Sequence, residues 1–182
     1  MDLAARGISC LVLDGPGNGE ARRFRNLVLH HETERHAGAA YDYLAARPEF
    51  DPQRIGIMAL SLGGWIAATL AVRNCTQLAS LALLAPAGQR VKGAPMGDNF
   101  VWTPDENARN LVFNQKIAEA MLGANMSPED EDRALKNRFM ATKLGWEPRW
   151  HDPALGRWLH RVKVPTLVLW GADDKLFPSV YS

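Results

Sequence analysis

Residues 54–73, RIGIMALSLGGWIAATLAVR, constrain the fold of this chain more than any other stretch. Residues 54–60 form a short apolar run without polar alternation, the pattern of a strand buried on both faces. Ser61 then stands at a turn. After it, "GGWIAATLAVRN" reads as a helix of small and apolar residues. A strand passing straight into a helix is half of a crossover unit, and three further runs extend the pattern. "ISCLVLD" (8–14) ends at the Gly- and Pro-rich "GPGNG", "LASLALLAP" holds a strand over 80–84, and "PTLVLWG" (165–171) is the last. Between the first two, residues 33–47 place Ala37, Ala40, Tyr41, Leu44 and Ala45 at helical spacing, closed by Pro48. Strands alternating with helices predict an α/β domain with a mostly parallel sheet of about four strands flanked by helices.

Residues 86–163 break this rhythm. "TPDENARNLVFNQKIAEAML" opens with Thr103 at the N-cap, Pro104 at the first helical position and Glu106 three after the cap. "SPEDEDRALKNRFMATKL" repeats the arrangement with Ser127, Pro128 and Asp130, and a third, short helix is expected after Asp152 and Pro153. Helices carrying Trp102, Trp146, Trp150 and Trp158 and no strand are too long for an ordinary crossover, so they read as a cap over the sheet. The expected division is therefore a core of 1–85 and 164–182 with a helical cap or lid insertion at 86–163.

A length of 182 residues suits one domain, and a net charge of +1 draws the chain to neither nucleic acid nor an anionic membrane. Cys10 and Cys75, both in apolar surroundings, are expected to be buried thiols rather than a disulfide framework. No signal-peptide pattern precedes residue 8, and no apolar run nears the roughly 18 residues of a membrane span. The expectation is a cytoplasmic protein without a membrane partner.

The chemistry centres on "ALSLG". Ala59 and Gly63 flank Ser61 at two residues on either side, the small-x-Ser-x-small form of a nucleophile elbow. A sharp turn lifts the hydroxyl above the sheet edge and brings the flanking residues close, so both must be small. The Leu62 N–H, at the helix start, can face a developing oxyanion. In "LWGADDKLFP", Asp173 and Asp174 compete for the role of a carboxylate that orients a histidine. The order serine, then acid, agrees with the Ser…Asp…His order of α/β-hydrolases.

With those motifs in place, the chain resembles the α/β-hydrolase superfamily in nearly every segment. "LDGPGNGE" is similar to the loop after the family's fourth strand, "MALSLGG" to its elbow, and "VPTLVLWGADDKLFP" to its seventh strand and acid turn. The family's acid falls three after the glycine, which implies Asp174. Residues 14–64 resemble the branch containing 2,6-dihydroxypseudooxynicotine hydrolase, notably in "DGPGNGEA" and "AARPEFDPQRIGIM". From Trp65 onward, "LLAPAGQRVKG" and "ALKNRFMATKLGW" look like capped hydrolases of another, esterase-like branch, the pattern of a mosaic or chimera. Two family parts are expected to be missing, as if the chain were truncated at both ends. The second oxyanion N–H would come before Met1, and the catalytic histidine after Ser182. Without the family's third strand, residues 8–14 either pair directly with 54–60 or both strands keep an open edge.

Five histidines remain, His30, His31, His36, His151 and His160, and none stands in the family's position, so the catalytic histidine is unassigned. The glycines of "GPGNGE" miss the dinucleotide fingerprint because Glu20 replaces its last glycine. His30, His31, Glu32, Glu34 and His36 lack metal-ligand spacing beyond one helical-turn pair, and "ARRFR" is too short a basic run to bind nucleic acid. No metal and no cofactor are expected.

The resulting expectation is a carboxylesterase-like serine hydrolase. Ser61 would form an acyl-enzyme from a small-molecule ester, with Leu62 binding the oxyanion and Asp174 orienting a histidine. Serine at the elbow argues against the dehalogenase and epoxide hydrolase chemistries, which use Asp there. The alternative is an inactive α/β-hydrolase fragment, a pseudoenzyme or partner-binding remnant. A homodimer is the assembly that would supply a histidine or cover an open sheet edge.

Overall fold

A computed structural model describes residues 3–15, 34–73 and 77–182. Its centre is a parallel sheet of three strands in the order β1 (Gly56–Leu60), β2 (Ser80–Leu84) and β3 (Thr166–Leu169). The register sets Leu83 between Ala59 and Val168, and Leu84 between Leu60 and Leu169. Side chains alternate across a strand, so Ile57, Ala59, Leu81 and Leu83 share one face. On that face lies α2 (Leu62–Arg73), which follows β1 and buries Ala67, Ala68, Ala71 and Val72 against Leu81 and Leu83. Methyl side chains let the helix lie close to the sheet. Its outer side is covered by α1 (Glu34–Ala45), which explains why α2 is apolar all round.

The expected α/β architecture therefore forms, with one difference in the strands. Residues 8–15 join no ladder, and Ile8, Leu11, Val12 and Leu13 are exposed. Apolar character signals a demand for burial but does not name the neighbour that meets it, and among the described residues β1 is an edge strand. Cys10, expected to be buried, is exposed on this segment, while Cys75 lies outside the described residues. The second sheet face is also open: Met58 is 54% exposed, Leu60 64%, Leu167 54% and Leu169 47%.

Between β2 and β3 lie α3 (Pro104–Leu111), α4 (Gln115–Leu122), α5 (Pro128–Gly145) and α6 (Leu155–Trp158), the last running into a 3-10 turn at Leu159–Arg161. The capping box at Thr103 and Glu106 forms as its spacing predicts. The stretch expected to be one helix from Pro104 is broken at residues 112–114. Val112 is extended, and the Asn114 carboxamide accepts from Lys116 N–H to start α4. At the start of α5, Ser127 caps Asp130 N–H, and the Ser127 hydroxyl and Arg133 hold the Asp130 carboxyl below its ordinary value. No described helix is long and apolar enough to cross a membrane.

Candidate active site

Ser61 sits between the last residue of β1 and the first of α2 with φ of 51°, in the left-handed region. A non-glycine residue there costs about 1–2 kcal/mol relative to ordinary backbone, so the surroundings must hold it. They do so from both sides. The Ser61 N–H donates to the Leu84 carbonyl at 2.9 Å, while its own carbonyl accepts from Trp65 N–H at 3.1 Å and Ala87 N–H at 3.0 Å. The exit of β2 thus grips the turn at two points. Among the described residues the Ser61 hydroxyl has no hydrogen-bond partner, and neither has the N–H of Leu62. The latter belongs to the first turn of α2, whose N–H groups find no acceptor within the helix.

Small residues around the turn have distinct reasons. A Cβ placed on Gly63 would stand 3.7 Å from the Ala59 Cβ, an ordinary contact. Two methyl-sized groups therefore just fit at the flanking positions. A Cβ on Gly64 would meet Pro86 at 2.7 Å, so the second glycine is the one that lets α2 pass the loop leaving β2.

The second motif closes a turn after β3. Asp174 N–H donates to the Gly171 carbonyl at 3.2 Å, and Asp174 Oδ1 accepts from Leu176 N–H at 2.9 Å and Phe177 N–H at 2.8 Å. Of the two acidic candidates, Asp174 is half-buried and builds the turn; Asp173 is exposed and has no hydrogen-bond partner among the described residues. Trp170 Nε1 donates to the Phe177 carbonyl at 2.6 Å and closes the turn, and Gly97 N–H donates to the Leu176 carbonyl at 2.8 Å, which anchors the turn to the segment before α3.

Both motifs reach one hydrophobic cluster. Ala87, Phe100, Trp150 and Phe177 are buried together, with Leu62 and Trp65 from the start of α2 and Trp170 and Leu176 from the acid turn packed on them. The serine turn and the acid turn, over a hundred residues apart in sequence, therefore share a wall of aromatic side chains. Phe100 and Trp150 stack at 5.0 Å.

The histidines stand differently. His151 is half-buried, and its backbone bridges Gly88, next to the residue that bonds the Ser61 carbonyl. Its Nδ1 lies 2.9 Å from the Arg149 carbonyl, which can only accept; Nδ1 therefore carries the hydrogen, and Nε2 is the basic nitrogen of the neutral ring. His160 is exposed beside Trp158. His36 lines an open groove with Leu11, Leu13, Asp14 and Tyr43, and no residue of that groove belongs to the serine or acid turn. None of these three hydrogen-bonds Ser61 or Asp174. His30, His31 and Glu32 lie outside the described residues.

Sequence reasoning missed the loop at Ala87 and Gly88. Its signal was present in "LLAPAG", where a Gly follows a Pro shortly after a strand, the mark of a backbone that turns sharply and approaches another chain segment closely.

A family model described as serine aminopeptidase, S33, matches residues 1–180. A search of curated protein sequences gave no match. Among solved structures, a membrane phospholipase A described as a bacterial virulence factor superposes with a TM-score of 0.57 at 24% identity, covering 92% of this chain and 55% of its own. A candidate lipase of Acinetobacter baumannii AYE gives 0.53 at 20% identity, covering 92% and 59%. A serine hydrolase involved in carbazole degradation gives 0.50 at 22% identity, covering 82% and 55%. At these identities the likeness is one of fold. The chain spans between 55% and 59% of the length of these structures.

Proposed function

Because the chain belongs to the serine aminopeptidase S33 family of α/β-hydrolases, we propose that it is a serine hydrolase of small-molecule carboxylic esters, with Ser61 as nucleophile. The observation that carries the reading is the left-handed Ser61 between β1 and α2, with a hydroxyl and a neighbouring first helical N–H that have no hydrogen-bond partner among the described residues. Strain held at one polar side chain, and a donor left open beside it, is the arrangement an addition to a carbonyl needs.

In this reading Ser61 Oγ adds to the ester carbonyl carbon as its proton passes to a base. The carbonyl oxygen gathers negative charge next to the Leu62 N–H, and the alcohol departs with a proton. Water then attacks the acyl-enzyme and releases the acid. Asp174 has one oxygen committed to two backbone N–H groups, which leaves the other for an imidazole N–H. The aromatic wall of Phe100, Trp150 and Phe177 suits an apolar acyl or aryl group. Amide and carbon–carbon bond hydrolysis use the same first step and remain compatible chemistries.

The experiment is p-nitrophenyl acetate turnover together with fluorophosphonate labelling of the wild type and Ser61→Ala. Loss of both signals in the variant is the expected result; survival of both refutes the nucleophile. One observation favours a second reading, that of a folded but inactive hydrolase-like chain: none of His36, His151 and His160 hydrogen-bonds Ser61 or Asp174. Lack of a base lowers the rate by several orders of magnitude. Folded wild-type protein that neither turns over nor labels would establish that second reading.

A further inference from the structure

The loop leaving β2 joins Ser61 to the helical segment between β2 and β3 by an unbroken series of backbone hydrogen bonds. The Ala87 N–H donates to the Ser61 carbonyl at 3.0 Å, and the next residue is held twice from the far side. Gly88 N–H donates to the Trp150 carbonyl at 2.9 Å, and Asp152 N–H donates to the Gly88 carbonyl at 3.1 Å. From this geometry we infer that Trp150 is a positioning residue for Ser61, acting through Gly88 and Ala87 to keep the serine turn in its left-handed conformation. The inference rests on the reading of Ser61 as the nucleophile for its catalytic meaning, though its mechanical content stands on the hydrogen bonds alone.

Three observations converge on this coupling. Among the described residues, the non-glycine positions with positive φ are Ser61, Ala85 and Trp150: Ser61 and Trp150 are the two ends of this hydrogen-bond series, and Ala85 stands in the loop between Leu84 and Ala87, the two residues that bond Ser61. Ala85 N–H donates to the Leu169 carbonyl at 2.8 Å, which fixes the point where the loop leaves the sheet. Strained backbone persists only where its surroundings over-determine it, so strained residues bonded in series support one another.

Trp150 is over-determined in this sense. Its ring is buried, stacked on Phe100 at 5.0 Å and packed so closely on Gly145 that a Cβ there would stand 2.5 Å from it. Its Nε1 donates to Asn99 Oδ1 at 2.8 Å, and its N–H to the Gly145 carbonyl at 3.0 Å. The ring thus fixes the direction in which the residue's carbonyl points. Gly88, with φ of 99°, donates its N–H to that carbonyl on one side and packs on the Trp65 indole on the other; a Cβ on Gly88 would lie 2.5 Å from Trp65. Trp65 belongs to the helix that Ser61 opens, so the path closes on itself. If Gly88 shifts, the Ala87 N–H leaves the Ser61 carbonyl, and the turn can relax out of the left-handed region.

The test is residue-resolved amide exchange of the full chain as wild type, Trp150→Ala and Trp150→Phe, alongside the rate of fluorophosphonate labelling. In Trp150→Ala, exchange at both Gly88 and Ala87 is expected to quicken by roughly tenfold or more, with Leu83 in the sheet core little changed. Labelling of Ser61 should slow by about tenfold or more, since small misplacements of a reacting group carry large rate penalties. Trp150→Phe keeps the stack and should restore most of both signals. Quicker exchange at Gly88 with Ala87 unchanged overturns the inference, and so does an equal rise at Leu83, which marks general loosening. If Trp150→Ala does not fold, Asn99→Ala removes only the indole's acceptor and must show the same order of effects, Gly88 and Ala87 before Leu83. Wild-type protein that never labels defeats the hydrolase reading, while the exchange measurements still decide this one.

Discussion

Gly63 and Gly64 are neighbours in the first turn of α2, yet substitution by alanine should move stability in opposite directions. In a helix alanine is favoured over glycine by up to about 1 kcal/mol, less near the helix end. At Gly63 no described residue opposes this gain, because among them the new methyl meets only the Ala59 Cβ, at 3.7 Å. Gly63→Ala should therefore stabilise the chain by about 0.5 kcal/mol. At Gly64 the methyl would stand 2.7 Å from the Pro86 Cβ and 3.0 Å from its Cα. A proline ring and a backbone atom cannot swing aside, and overpacking of this kind costs about 1–3 kcal/mol. Once the helical gain is subtracted, Gly64→Ala should destabilise by about 1–2 kcal/mol. Urea unfolding followed by tryptophan fluorescence reads the difference directly. With an m-value of roughly 2 kcal/mol per molar, the two midpoints should separate by about 1 M. A Gly64→Ala midpoint at or above that of Gly63→Ala would refute the close passage of α2 against the loop after β2. It would also remove the steric reason for a paired glycine behind the serine.

Ser61→Gly should raise stability by up to about 1 kcal/mol by relieving the left-handed φ, measured as a higher urea midpoint, while it abolishes labelling. Asp174→Ala strands the N–H groups of Leu176 and Phe177 and should cost about 1–3 kcal/mol. Asp173→Ala, at an exposed side chain, should stay within about 0.5 kcal/mol of wild type. The Asp130 carboxyl, held below its ordinary value by the Ser127 hydroxyl and Arg133, should titrate below an unfolded-chain aspartate in an NMR experiment. Its contribution to the start of α5 is then complete above about pH 4 and lost as the pH falls through the depressed folded value. Ser127→Ala should return the titration toward the ordinary position.

Much of the fold was legible because it depends on local chemistry. The apolar run of β1, the small-residue helix after it, and β2 at Ser80–Leu84 follow from periodicity, which the backbone reads within a few residues. The Thr103 and Ser127 caps were legible for the same reason, since a cap and its partner lie three residues apart. The break at residues 112–114 was harder to read. The apolar pattern runs through it, and the extended Val112 with the Asn114 cap outweighs that pattern.

By itself, the sequence determined the three strands of the sheet and the helix after the first of them, that Ser61 ends a strand and opens a helix, and that an acidic turn follows the last strand. These are consequences of side-chain size, polarity and short-range spacing. The tertiary structure alone decided which neighbours those elements meet. It left residues 8–15 without a ladder, although their composition suits a strand, because pairing needs a second strand at the right place. It gave the Asp174 carboxylate two backbone N–H groups and left Asp173 exposed. It also joined Trp150 to Ser61 through Gly88 and Ala87, residues distant in the chain. The physical reason is that these contacts come from packing between remote segments, whose partners local periodicity does not encode.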